Sequence, residues 1–116
     1  MVIIQNYDNN KANGLIPFLA SISNEVRERR IAIKQVDLQL ESEQPESDTS
    51  INLQAERANH RRELRLALKE VSRLGCTVSR EFPLRVVIPG PNGELDGFLW
   101  ESGEASVRSL ATESAA

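Results

Sequence analysis

From Ala12 onward, apolar side chains return every three or four residues, at Leu15, Leu19, Ile22, Val26, Ile33, Val36 and Leu40, with Arg29 the single polar member of the series. A second series runs through Leu53, Arg57, His60, Leu64, Ala67, Val71 and Leu74. Alternating spacing of three and four places each set along one stripe of an α-helix, and two such stripes joined by a polar loop cover each other as an antiparallel, coiled-coil-like hairpin. The pattern predicts helix one over about 8–41, with Asp8 as the side chain that accepts from its first free N–H groups. Pro17 lacks the amide hydrogen that a helix interior needs and lies close to Gly14, so it should kink the helix or split off its first two turns, and a kink is the preferred expectation. The polar stretch 42–50, with Pro45 among Glu43, Glu46, Ser47, Asp48 and Thr49, is the hairpin tip. Helix two follows over 51–74, capped by Ser50 or Thr49 and closed by Gly75.

Matching the stripes end to end sets Leu40 opposite Leu53, Ile33 opposite His60 and Leu19 opposite Leu74. Residues Asp8 to Phe18 then overhang, and Leu15, Ile16 and Phe18 need another partner. The pattern changes after Gly75. Cys76-Thr77-Val78, Leu84 to Ile88, Gly97 to Trp100 and Ala105 to Arg108 read as short strands, punctuated by Pro89-Gly90-Pro91-Asn92-Gly93 and by Ser102-Gly103. They suit a small antiparallel β-meander over 76–110 whose apolar face, from Trp100, Phe98 and Val86 or Val87, packs on the overhanging end of helix one. The β-branched run at residues 2–4 reads as a further extended segment, and 111–116 as a fraying tail. The expected fold class is α+β, with residues 1–110 as a single domain.

Composition narrows the function classes. A net charge of -3 supplies no global field for DNA or an anionic membrane, and 4% aromatic residues argue against a base-stacking platform. One cysteine cannot form an internal disulfide, no secretory signal opens the chain, and the longest apolar run falls far short of the ~20 residues of a membrane span. A soluble cytoplasmic protein is expected.

Three short motifs add a resemblance: Ala12-Asn13-Gly14-Leu15-Ile16-Pro17, Leu74-Gly75-Cys76-Thr77-Val78 and Trp100-Glu101-Ser102-Gly103-Glu104. Together they resemble the bacterial domain-of-unknown-function family 2203, which opens on an Ala-Asn-x-Leu-x-Pro element, closes its second helix on Leu-Gly-Val and carries a Trp-x-x-Gly-Glu turn. The family usually continues with a Trp-His pair and an arginine-bearing tail, where this chain has Ser109-Leu110 and a polar tail. The resemblance implies no reaction, and any activity resting on those missing residues is expected to be absent.

The residues themselves offer little catalytic chemistry. His60 is the one histidine and sits in the helix-two stripe, with no second metal ligand at a usual spacing, so a satisfied interface histidine is expected. Cys76 follows a helix C-terminus, whose partial negative charge disfavours a thiolate. No catalytic, cofactor or metal site is predicted, and the chain is expected not to be an enzyme. The acidic tip, with Glu41, Glu43, Glu46 and Asp48, reads as a solvated loop, although a carboxylate-presenting transcription accessory factor is an alternative.

The helix flanks carry more. Glu56, Glu63 and Glu70 line one side of helix two with no opposite charge expected across the hairpin, while Arg61, Arg65, Lys69 and Arg73 form a basic row. These are candidate surfaces for a protein partner, with direct nucleic-acid binding ranked lower. Ile31 and Leu38, seven apart on the side of helix one farthest from helix two, and Leu66 outside the helix-two stripe, predict self-association. A two-fold pairing into four helices is the expected form. The predicted function is a non-enzymatic interaction or oligomerisation module, and a homodimer.

Overall fold

A computed structural model describes residues 7–79 and 83–110. The expected extended segment at 2–4 and the tail 111–116 lie outside them. The elements in order are α1 (Asn9–Gly14), α2 (Ile16–Glu41), α3 (Asp48–Arg73), β1 (Thr77–Val78), β2 (Arg85–Gly90), β3 (Gly93–Glu101) and β4 (Arg108–Ser109). The strands form one antiparallel sheet in the order β1-β2-β3-β4, so the α+β class, the helical hairpin and the meander all hold. The chain divides into two compact units: Met1–Ser23 with Lys69–Ala116, and Asn24–Leu68.

The first unit contains the sheet, α1, the opening turns of α2 and the last turn of α3. Its core holds Tyr7, Ala12, Leu19, Val71, Cys76, Leu84, Val86, Ile88, Phe98, Trp100 and Val107. Side chains alternate across a strand, so register decides which valine points inward. Val86 pairs with Trp100 and Ile88 with Phe98, and all four are buried, whereas Val87 is only half-buried. Leu19, not Phe18, is the inward residue of early α2, and Phe18 is 38% exposed. The turn between β2 and β3 is also shorter than the five-residue punctuation suggested. Pro89 and Gly90 stay in the strand through a register shift after Ile88, and Asn92 bonds the Asp96 carboxylate.

Pro17 splits the first helix where a kink was expected. Leu15 closes α1 by donating to the Ala12 carbonyl, and its own carbonyl accepts from Leu19 to open α2. Pro17 thereby falls in the first turn of α2, where its missing N–H has no intrahelical partner to lose. Asp8 caps α1 as expected, accepting from the Lys11 amide at 2.8 Å.

The second unit is the hairpin proper. Val26, Val36 and Ala67 are buried, and Ile33, Leu40, Leu53 and Leu64 are half-buried beside them. The tip is tighter than predicted because Ser47, not Thr49 or Ser50, caps α3. Its hydroxyl accepts from the Ser50 amide at 3.0 Å and donates to the Gln44 carbonyl, so the helix begins at Asp48. Ser50 is buried inside the first turn and accepts from Gln54.

Candidate functional site

The family-like motifs prove to be fasteners of the first unit. Asn13 Oδ1 accepts from the Val107 amide at 2.9 Å, joining α1 to the approach to β4. Trp100 Nε1 donates to the Glu104 carbonyl at 2.9 Å, while Glu104 Oε1 accepts from the Glu101 amide, so the two residues close the turn between them from both sides. Gly103 holds that turn at φ +97°, and Gly75 ends α3 at φ +83°, both in the left-handed region that side chains with a Cβ resist. Tyr7 then donates to the Leu74 carbonyl at 2.9 Å. Each of these motif residues carries a bond or a backbone geometry.

Cys76 is buried, and burial pushes its thiol from the ordinary 9.0 up to about 11. Tyr7 shifts in the same direction, chiefly through desolvation and secondarily through Cys76. Thiolate chemistry is therefore suppressed at neutral pH. Among the described residues no group of three or more His, Cys, Asp or Glu is placed to hold a metal ion.

The polar members of the hairpin stripes engage one another. Arg29 Nη1 lies 3.0 Å from His60 Nδ1, and Arg57 Nη1 lies 2.9 Å from Asp37 Oδ1. End-to-end matching had set His60 opposite Ile33; the long arginine instead reaches it from one turn earlier. A guanidinium has donors only, so His60 Nδ1 accepts and the neutral ring carries its proton on Nε2. That nitrogen faces Glu56 Oε1 at 3.6 Å. Arg29 is held above its ordinary pKa first by its hydrogen bond to Glu25, with the charges of Glu63 and Glu28 adding to it. Across the hairpin, Glu63 is answered by Arg29, contrary to expectation, whereas Glu70 pairs with Arg73 at 2.9 Å within its own helix and Glu56 faces only the His60 ring one turn along. Two arginines and a histidine within two apolar stripes are the signal from which these links could have been read.

What remains open to solvent is the outside of the hairpin. Ile31 is 51% exposed, Leu38 57% and Leu66 44%, and Ile51, which the pattern had not singled out, is 55% exposed. At about 100° per residue, Ile31 and Leu38 stand roughly 160–180° from the α2 stripe, and Ile51 and Leu66 stand roughly 170° and 130° from the α3 stripe. The two pairs therefore occupy opposite outer edges of the second unit, so a two-fold pairing along one edge leaves the other uncovered. Arg61 and Arg65 are exposed with no ion pair among the described residues, and Lys69 is likewise exposed and unpaired. Arg73 is also exposed, and it bonds Glu70 one helical turn away. No helix among the described residues is long and apolar enough to cross a membrane.

The family model described as "Uncharacterized conserved protein (DUF2203)" matches residues 5–112, and the chain belongs to that family. No curated protein and no solved structure matches it.

Proposed function

We propose that this member of the DUF2203 family is a non-enzymatic interaction module that pairs with a second copy through the hairpin of its second unit. The observation that carries the reading is the Ile31–Leu38 edge of α2, two large apolar side chains seven residues apart, each more than half exposed. Scattered surface leucines are common in monomers, but two on one stripe directly behind a helical seam have the spacing of a helix-packing face. The non-enzymatic part rests on engagement. His60 and Arg29 bond each other, Arg57 bonds Asp37, and the Cys76 thiol is buried with its ionisation suppressed. The side chains best suited to proton transfer or nucleophilic attack therefore already have structural work.

Sedimentation velocity over a wide concentration range tests the pairing. Ile31→Glu with Leu38→Glu is expected to abolish it while leaving far-UV circular dichroism nearly unchanged, since both side chains lie outside the seam. A wild-type protein that remains monomeric at high micromolar concentration overturns the proposal. Arg61 and Arg65, exposed and without an ion pair among the described residues, favour a second reading, contact with an anionic partner such as nucleic acid. Steeply salt-dependent retardation of random-sequence DNA or RNA is its signature.

A further inference from the structure

Which way two copies pair is set by the charges beside the apolar pair. We infer that the second copy docks antiparallel along the outer edge of α2, about a two-fold axis midway between Lys34 and Gln35, with Ile31 against Leu38 and Arg27 beside Glu41 of the second copy. The inference rests on the self-pairing proposed above and adds its geometry.

Arg27, Glu28, Lys34, Gln35 and Glu41 are all exposed around Ile31 and Leu38, and Arg27 and Glu41 make no ion pair among the described residues. A parallel, in-register pair sets Arg27 on Arg27, with Glu28 of the second copy beside it, and leaves Glu41 about 21 Å along the helix from any Arg27. Like charges facing across a helix pair are destabilising. Reversing one helix about the midpoint of positions 31 and 38 keeps both apolar contacts, because Ile31 and Leu38 are equidistant from that point. Under this two-fold, each flank of a helix meets the same flank of its mate. Arg27 and Glu41 lie on one flank, on the same side of the apolar stripe as Lys34. The reversal therefore brings Arg27 opposite Ser42 and next to Glu41 of the second copy, and symmetry makes the contact twice. Lys34 falls beside the axis, next to its own symmetry mate, the one like-charge contact this arrangement makes.

The opposite edge fits a second copy less well. Reversal about the midpoint of Ala58 and Asn59 does set Ile51 against Leu66. However, the outer face between them carries Arg62 and Arg65, while Glu63 and the exposed Glu56 lie on the opposite flank from Arg65. Pairing there gathers four guanidinium groups and leaves those of Arg65 without a carboxylate on their own flank.

Disulfide trapping distinguishes the arrangements, with Cys76→Ala as background. Equimolar Ile31→Cys and Leu38→Cys proteins are expected to oxidise to the mixed 31–38 dimer, and neither protein alone to cross-link efficiently. By sedimentation, Arg27→Glu or Glu41→Arg alone is expected to weaken pairing roughly two- to thirtyfold, the scale of two exposed ion pairs lost. The double exchange should restore it. A protein that sediments as a monomer removes the self-pairing itself. A dimer that instead forms 31–31 and 38–38 disulfides, or traps through cysteines at 51 and 66, overturns the antiparallel α2 geometry and leaves self-pairing standing. Mixed trapping without the charge-exchange rescue overturns the role of Arg27 and Glu41.

Discussion

Replacing Trp100 tests whether the first unit is built as described. The side chain is 1% exposed, pairs across the sheet with the fully buried Val86, and donates its indole N–H to the Glu104 carbonyl at 2.9 Å. Trp100→Ala removes the largest side chain in that core, a change that costs about 3–5 kcal/mol. Against a usual total of about 5–15 kcal/mol, the variant should sit near the limit of folding at 37 °C. Trp100→Phe separates the two contributions: most of the apolar volume stays and the donor goes, for an expected cost of about 1–2 kcal/mol. Urea melts followed by far-UV circular dichroism give both values, since Trp100 is the only tryptophan and fluorescence vanishes with it. In the parent protein that fluorescence is a direct check, because the buried indole should emit well to the blue of free tryptophan and move to the red on unfolding. Water-like emission from the native protein, or Trp100→Ala within about 0.5 kcal/mol of the parent, a surface-scale effect, refutes the packing argument.

Asn13→Ala should cost about 1–2 kcal/mol by leaving the part-buried Val107 amide without its acceptor, while Asn13→Asp keeps an acceptor and should cost less, as read from thermal melts. Gly103→Ala, at φ +97°, should destabilise by about 1 kcal/mol or more despite open space around the new methyl group, and an unchanged melt contradicts the turn geometry. Because the Cys76 thiol ionises at about 11 when folded and near 9.0 when unfolded, its stabilising contribution is complete below pH 9 and lost as pH rises toward 11, with a slope of about 1.4 kcal/mol per pH unit. Denaturant melts of Cys76→Ala should lack that part of the alkaline decline, and native Cys76 should react with aromatic disulfides only slowly at pH 8. In mildly alkaline buffer the ¹⁵N–¹H correlations of His60 should report a neutral ring protonated at Nε2; the Nδ1-protonated form contradicts the Arg29 bond.

The hairpin was legible because burial follows helical period. Every member of the two stripes from Leu15 to Leu74 is buried or half-buried, including the arginines and histidine that composition alone would place outside. The meander was legible from its turns and from alternation along β2 and β3. Local chemistry at the boundaries was harder to read, because several residues could serve and the backbone chose one. Ser47 out-competed Thr49 and Ser50 as a cap by bonding on both sides of the turn, and Pro17 was accommodated by beginning a new helix at Ile16. Phe18 and Leu19 are adjacent apolar residues, and a helix can turn only one of them inward. Ile31, Leu38 and Leu66 were visible as residues that the stripes do not use, yet spacing within one helix does not reveal that the two helices turn their spare apolar residues in opposite directions.

That opposition sets the strength of any pairing. Covering the exposed half of an isoleucine or leucine side chain is worth about 1 kcal/mol, so two side chains from each of two copies give about 4 kcal/mol before any charge contact. Association costs at least about 4 kcal/mol in lost freedom of movement. The α2 edge alone thus leaves little surplus, and the two Arg27–Glu41 contacts, at about 0.2–1 kcal/mol each, are comparable with what remains. A pairing of this kind is weak and sensitive to salt, in contrast to a dimer fused through a continuous apolar core. Raising ionic strength from 50 mM to 0.5 M should screen the exposed ion pairs and lower the dimer fraction. Replacing Lys34, which lies beside its own symmetry mate at the axis, by Gln should raise it. A dimer that tightens with salt, as a purely apolar contact does, argues that larger apolar surface than Ile31 and Leu38 is being buried and that the pairing face lies elsewhere on the molecule.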